Sequence, residues 1–350
     1  MVRLQVVPFQ ERSSATPRLI VDSDPFSQIG GRVAVLVPCH NEQAAIASVV
    51  HAFRHYLPTA AIYVYDNAST DETAQVARDA GAQVHGEPLI GKGNVVRRMF
   101  ADIEADIYVI VDGDGTYDAA SAPRLIRYLV THGLDMVNCA RVSSDTEAYR
   151  AGHRWGNRLL TGLVAKVFGN RLSDMLSGYR VMSRRFVKSF PALSQGFEIE
   201  TELTVHALEL RAPIGELTAP YISRPRGSSS KLHTVRDGLR ILRLIVHLVK
   251  EERPLQFFTI GFCVLAATSV VLGIPVVAQF IKTGLVGRLP TAVLATGLMI
   301  LAFLALFCGL ILDTVTRGRR ELKRLLYLAA GREERAIRNC EVGQTRVQSR

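Results

Sequence analysis

IYVIVDGDGTYD, residues 107–118, is the stretch on which the fold turns. Its first half is apolar and β-branched without polar alternation, as in a strand buried on both faces of a parallel sheet. Its second half is an acidic turn. Asp112 and Asp114 stand one residue apart at the strand's carboxyl end. Two such carboxylates hold one hard divalent cation if the backbone turns enough for them to converge, and Mg²⁺ characteristically takes one or two carboxylates plus substrate phosphates. A calcium-binding EF-hand is excluded, because Thr116 and Tyr117 occupy positions where that loop needs Asp or Asn and Gly. The plain alternative is an Asp-Gly turn without a ligand. The apolar strand and the acids at neighbouring strand ends favour a metal site.

Outward from this strand the chain alternates between the two structural periods. Strand signals fall at 32–38, 61–67, 82–87 and 135–141, and helix signals at 42–57, 69–81, 93–103 and 119–133. Such alternation predicts an α/β domain with a mainly parallel sheet, whose ligands lie beyond the carboxyl ends of its strands. Polar residues collect at those ends: His40, Asn41 and Glu42 after the first strand, and Asp66 and Asn67 after the second. The segment HGEPLIGKGN (85–94) nearly matches a phosphate-binding P-loop, but Gly93 follows Lys92 where a magnesium-ligating hydroxyl belongs. An ATPase is thereby excluded. Lys92 is left either as a cation approaching a nucleotide or as part of a helix-entry turn. Further on, YISRPRGSSSKL (221–232) packs Arg224, Arg226 and Lys231 around a Gly-Ser loop, a composition suited to a phosphate or diphosphate. Its plain alternative is a solvated basic linker.

The last third changes character. Two uncharged stretches, 254–281 and 291–312, with spans at about 256–280 and 291–313, are joined by KTGLVGRLP (282–290). Both exceed the ~20 apolar helical residues that a bilayer core requires. Arg236, Arg240, Arg243, Lys250 and Arg253 precede the first span, and Arg317, Arg319, Arg320, Lys323 and Arg324 follow the second. The positive flanks place the N-terminal domain and the tail on the cytoplasmic side. VRDGLRILRLIVHLVK (235–250) has the spacing of a basic amphipathic helix lying in the headgroup plane. The expected organisation is a loosely ordered leader over 1–30, a catalytic domain over 31–233 and an interfacial helix over 234–253. A membrane hairpin over 254–316 and a basic tail over 317–350 complete it. The leader lacks the pattern of a cleaved signal peptide.

The chain has 350 residues and a formal net charge of +10. That excess alone would suit nucleic acid, anionic lipid or a phosphorylated substrate. Its distribution decides among them. Residues 224–253 carry +5 and residues 317–350 carry +6, leaving −1 for the remainder. The charge flanks the membrane hairpin, so it reads as a membrane address. No nucleic-acid partner is expected, since no RNA-recognition signature is present. Five cysteines far apart, with no CxxC pair, form neither a disulfide framework nor a zinc ribbon.

Taken in order, these motifs resemble glycosyltransferase family 2, and within it the dolichyl-phosphate mannose synthase and polyprenyl-phosphate glycosyltransferase branch. VPCHNE (37–42), YDNASTDET (65–73), GKGNVVRRMF (91–100), VDGDGTYD (111–118) and SDMLSGYRVMSRR (173–185) carry the resemblance, with GFEIETELTVHA (196–207) and RPRGSSSKL (224–232). It implies a GT-A fold, a nucleotide-sugar donor, a polyprenyl-phosphate acceptor and Mg²⁺ or Mn²⁺ as cofactor. Asp112 and Asp114 would hold the metal and, with Arg224 and Lys231, form the catalytic set. Pro38, His40, Glu42, Asp66, Lys92, Gly113, Arg141 and Arg226 would bind the donor. Ser177, Gly178, Tyr179 and Arg180 would form the acceptor side. Two departures stand out: His40 replaces a common aromatic, and Thr116 stands where some relatives place Gln. The resemblance leaves open which of Arg224 and Arg226 faces the site, which sugar and base are used, and whether the chain forms a homo-oligomer. Two other readings stand beside it. A processive polysaccharide synthase of the same superfamily is disfavoured by the lack of a QxxRW stretch. An inactive scaffold binding nucleotide sugar is disfavoured by the retained acids and cations.

Overall fold

The structure is a computed structural model of the chain. It describes residues 31–142, 172–196, 198–222, 250 and 253–348, with side-chain surroundings through residue 331. The leader, the loop bearing Arg224, Arg226 and Lys231, and nearly all of the expected interfacial helix lie outside the described residues. The described chain divides into two units: 1–241 with 323–350, and 242–322.

The first unit is built on a seven-stranded sheet. In chain order its elements are β1 (Val33–Cys39), α1 (Ile46–Tyr56), β2 (Ala61–Asp66), α2 (Thr73–Asp79), β3 (Gln83–Gly86), α3 (Lys92–Asp102), β4 (Ile107–Ile110), α4 (Ala122–Thr131) and β5 (Met136–Val142). Then come β6 (Arg180–Ser183), α5 (Arg184–Ser189), α6 (Ile199–Leu210) and β7 (Ile214–Pro220). The strand order is β3-β2-β1-β4-β6-β5-β7. All pairings are parallel except those of β6, which runs antiparallel between β4 and β5. The sheet is therefore mainly parallel, as the alternation predicts.

Successive side chains of a strand face opposite sides, and β1 shows what that does here. Val33, Val35 and Val37 enter one buried cluster with Ile46, Val50 and Phe53 of α1 and Leu125 and Ile126 of α4. Ala34 and Leu36 enter the other with Val96 and Met99 of α3, Phe186 of α5 and Leu203 of α6. Both faces of the sheet are covered by helices, so a strand such as β4 is buried at every position and leaves no polar alternation to read.

Element ends depart from the sequence expectations where polar side chains have other work. Helix α2 starts at Thr73 rather than at Ser69. Ser69 Oγ accepts from the Asn41 amide at 2.9 Å, and Thr73 Oγ1 accepts from the Glu42 amide at 2.8 Å. The hydroxyls that look like helix caps instead tie the loop after β1 to the start of α2. Strand β4 ends at Ile110, two residues before Asp112, and the acidic turn leaves the ladder with Gly115 at φ +73°. Asp118 caps the turn before α4, accepting from the Ala120 amide at 3.1 Å and the Ser121 hydroxyl at 2.8 Å.

The second unit contains α7 (Pro254–Thr283) and the first part of α8 (Leu289–Gln348). Both helices are long and apolar enough to cross a membrane. Gly284, at φ +66°, ends α7 in the left-handed conformation. Small residues line the contact between the two. Ser269 donates to the Ala295 carbonyl at 2.7 Å, Ala302 is fully buried, and a Cβ on Gly309 would lie 2.8 Å from that of Phe258. Close approach through small residues is how helices associate in lipid, where apolar burial supplies no drive. Large apolar side chains point outward, with Val271 67% and Ile281 78% exposed. Residues 317–348, set apart as a tail in the sequence, continue α8 as helix. From Lys323 on, that helix belongs to the first unit. There Lys323 pairs with Glu209 at 2.7 Å, and Tyr327 donates to Asp135, over which Arg185 also closes.

Candidate active site

The carboxyl ends of β1, β2 and β4 lie side by side in the parallel sheet. The expected donor residues Pro38, His40, Glu42, Asp66 and Gly113 stand at or just beyond them, while Arg141 is the next-to-last residue of β5 and Arg226 lies outside the described residues. After β1 the chain turns at Asn41, which adopts φ +53°. Its side-chain oxygen accepts from the Thr70 amide at 2.7 Å. His40 Nδ1 lies 2.7 Å from the Asn67 carbonyl. Pro38, His40 and Asp66 are half-buried and Glu42 is buried. Asp66 accepts from the Ser69 amide through Oδ2 at 3.3 Å, while its buried Oδ1 has no hydrogen-bond partner among the described residues.

Asn67 latches this end of the sheet to the glycine loop. It donates to the carbonyls of Glu87 and Leu89, at 2.9 and 2.8 Å, and accepts from the Gly91 amide at 2.7 Å. Gly91, at φ +132°, precedes α3. A Cβ on Gly91 or Gly93 would collide with the backbone carbonyls of Gln195 or Ser194. These glycines therefore serve close packing against the 194–195 backbone, and they bring Lys92 to the acidic turn. The Lys92 ammonium lies 2.5 Å from Asp112 Oδ1 and also contacts Glu200 Oε1. Burial pulls its pKa down, but Asp112 and Glu200 outweigh that and hold it charged. Glu200, in the first turn of α6, is pushed up by burial against the opposing pull of Lys92.

The two acids of the turn differ. Asp112 keeps 29% of its side chain exposed. Asp114 is buried, and its Oδ1 accepts from the Thr116 hydroxyl at 2.6 Å and amide at 3.2 Å. Gly113 packs so tightly on the Cys39 thiol that a Cβ would collide with it. Gly178 stands directly against Asp112, and a Cβ there would strike the carboxylate. Its amide donates to the Tyr117 hydroxyl at 2.8 Å. The end of β7 returns to the same place: Tyr221 bridges Tyr117, and the Ile222 amide donates to the Thr116 carbonyl at 2.9 Å.

Four expected residues, Arg141, Ser177, Tyr179 and Arg180, are placed more deeply than a ligand surface requires. Arg141 makes a two-pronged pair with Asp174, at 2.6 and 2.8 Å, above the Tyr221 ring. Tyr179 is fully buried edge-to-face with Phe53 and Tyr117, and burial raises its pKa well above the usual value. Arg180 is the largest fully buried side chain. It donates to the carbonyls of Ser177, Met175 and Glu200 and to the Thr204 hydroxyl. Burial lowers its pKa to about 10. Of the four residues expected on the acceptor side, Ser177, whose hydroxyl donates to the Cys139 carbonyl at 2.5 Å, Tyr179 and Arg180 thus turn inward beside or within β6 in the middle of the sheet, while Gly178 faces Asp112.

Sequence reading passed over Glu200 and Asp174, and placed Asn67 at a strand end without giving it a role. GFEIETELTVHA (196–207) contains Glu200, but nothing in its spacing points to Lys92, 108 residues earlier.

A mainly parallel sheet with an acidic turn beyond its central strand, met by a glycine-lysine loop, is an architecture of the GT-A type. Similarity to known proteins agrees. Residues 34–190 match the family described as glycosyl transferase family 2. The chain is 32% identical over 297 residues to the glycosyltransferase AglJ of Haloferax volcanii, covering 84% of this chain and 97% of that one. It is 61% identical over 123 residues to protein RfbJ of Shigella flexneri, covering 35% and 95%. It is 27% identical over 221 residues to the dolichyl-phosphate hexose transferase of H. volcanii, covering 63% and 95%. Among solved structures, glucosyl-3-phosphoglycerate synthase from Mycobacterium tuberculosis, in complex with Mn²⁺, UDP-glucose and phosphoglyceric acid, matches with TM-score 0.52. The identity is 23%, covering 64% of this chain and 80% of that one. The chain belongs to glycosyl transferase family 2, and it is a glycosyltransferase enzyme.

Proposed function

We propose that the protein transfers a sugar from a nucleotide diphosphate sugar to a polyprenyl phosphate at the cytoplasmic face of a membrane. The observation that carries this reading is the acidic turn of Asp112 and Asp114 in a chain that also holds two helices of membrane-crossing length. The dolichyl-phosphate hexose transferase among the relatives supports a lipid acceptor.

The donor set fits a divalent cation. Asp112 and Asp114 offer hard carboxylate oxygens without thiolate or imidazole, the chemistry of Mg²⁺ or Mn²⁺. No group of three ligating side chains exists among the described residues, consistent with a cation completed by substrate phosphates. When bound, the cation neutralises charge developing on the leaving diphosphate. Pro38, His40, Glu42, Asp66 and Gly113 line the nucleotide, with Lys92 beside its phosphates. Arg224, Arg226 and Lys231 carry the phosphate contacts, while Gly178, packed on Asp112, faces the acceptor.

An acceptor phosphate oxygen attacks the anomeric carbon and forms the new C–O bond. The bond to the diphosphate breaks in line, and the nucleoside diphosphate leaves with its electron pair. Configuration inverts. A phosphate monoester is already anionic at neutral pH, so the attacking oxygen needs no strong general base. The apolar hairpin anchors the enzyme to the bilayer that carries the acceptor and so raises the acceptor's effective concentration. The positive-inside rule places domain and tail in the cytoplasm. The test is incubation of the purified chain with polyprenyl phosphate, Mg²⁺ or Mn²⁺ and a panel of labelled nucleotide sugars. One donor should yield a labelled lipid carrying a single sugar. No labelled lipid with any donor overturns the reading, and a polymeric product points to a processive synthase.

A further inference from the structure

Lys92 sits between two carboxylates, and only one of them faces solvent. Asp112 keeps 29% of its side chain exposed, against 10% for Lys92 and 8% for Glu200. The ammonium is held on both sides. Lys92 opens α3, whose entry is pinned by the Gly91 amide on Asn67 and by the Gly93 amide on the Gln195 carbonyl at 3.0 Å. Glu200 lies in the first turn of α6, where the helix dipole favours an acid. Its own carbonyl accepts from Arg180 at 2.8 Å and from the Thr204 hydroxyl at 3.0 Å. The same Arg180 is anchored to the backbone at Met175 and Ser177, just before Gly178 packs on Asp112.

We infer that Glu200 is a positioning residue that sets the charge of the acidic turn by neutralising Lys92. With Glu200 ionised the trio carries a net charge of −1, and Asp112 shares its cation with a buried competitor. Asp112 is then free enough to exchange Lys92 for an external cation. With Glu200 neutral, one negative charge beside Lys92 is lost, so the Lys92–Asp112 pair resists an incoming divalent ion more and attracts a diphosphate more strongly. This inference rests on the reading of Asp112 and Asp114 as the metal carboxylates.

The two ligand classes should therefore respond in opposite directions. In the detergent-solubilised full chain, Mn²⁺ binding is followed by the paramagnetic signal of the free ion. Inorganic diphosphate binding without metal is followed by calorimetry. Glu200→Gln, which keeps shape and removes charge, should weaken Mn²⁺ binding roughly three- to tenfold and tighten diphosphate binding by a similar factor. Lys92→Gln should tighten Mn²⁺ binding and weaken diphosphate. A purely structural role for Glu200 would weaken both ligands together, and that parallel loss overturns the inference. Should Glu200→Gln not fold, Lys92→Gln decides alone, and unchanged or weaker Mn²⁺ binding in it overturns the inference. Wild-type chain that binds no Mn²⁺ overturns the carboxylate reading and the inference with it. Wild-type binding with Glu200→Gln unchanged overturns the inference alone.

Discussion

Asp112 and Asp114 are separated by one residue yet live in different surroundings, and the difference decides what each substitution does. Asp114 is buried and accepts two bonds from Thr116. Asparagine keeps an acceptor there and removes only the charge. Asp114→Asn should lower turnover by at least ~100-fold, as expected for loss of a preorganised electrostatic group. Its thermal unfolding should move by no more than about 1 kcal/mol. Full activity in that variant would remove Asp114 from the catalytic set. Tyr179 makes the opposite case. Its ring packs in the core, and its hydroxyl has no hydrogen-bond partner among the described residues. Deleting a buried unpaired hydroxyl relieves a desolvation cost. Tyr179→Phe should therefore leave stability unchanged or raise it by about 1 kcal/mol, read from the denaturant midpoint. Its KM for the lipid acceptor should stay that of the wild type, and a raised KM would restore Tyr179 to the acceptor surface.

At the scale of elements, the strands and helices up to residue 142 were legible because each is an unbroken apolar or periodic run. Their ends were not, because Ser69 and Thr73 look like local caps until the loop after β1 is seen to use them. Strand β6 escaped notice for a different reason. Four residues, RVMS, are too few to show a period, and its first side chain is an arginine whose burial depends on partners from α6 and the loop before β6. The glycine loop illustrates the same limit. GKG reads as a phosphate cradle, yet Gly93 is required by the backbone of residues 194–195. Gly93→Ala should destabilise the chain by ~1–3 kcal/mol through overpacking, measured by denaturant unfolding, even when no nucleotide is present. An unaffected midpoint would mean that the contact with Ser194 is not tight in solution.

For the whole molecule, the charge distribution and the two apolar helices set an expectation about the membrane. The tip of the hairpin carries only Lys282, in the last turn of α7, and Arg288, before α8, against the dense positive flanks on the far ends. A cysteine at Gly287→Cys, in a chain whose native cysteines are replaced by alanine, should react with a membrane-impermeant maleimide from outside intact cells. A cysteine placed at Gln43, in the domain, should react only after the cells are opened. The reverse pattern would invert the proposed topology. The parallel sheet, the acidic turn and the two long apolar helices were determined by the sequence itself, because each is a property of consecutive residues: an apolar run, a carboxylate spacing, a stretch without charge. Which residues meet at the site was decided only by the tertiary structure. Lys92, Asp112 and Glu200 come from two helices and one strand end, and Arg180 is buried only because β6 runs between β4 and β5. Contacts between residues so far apart in the chain leave no local period or composition to read, since they exist only after the sheet has brought its strands into order.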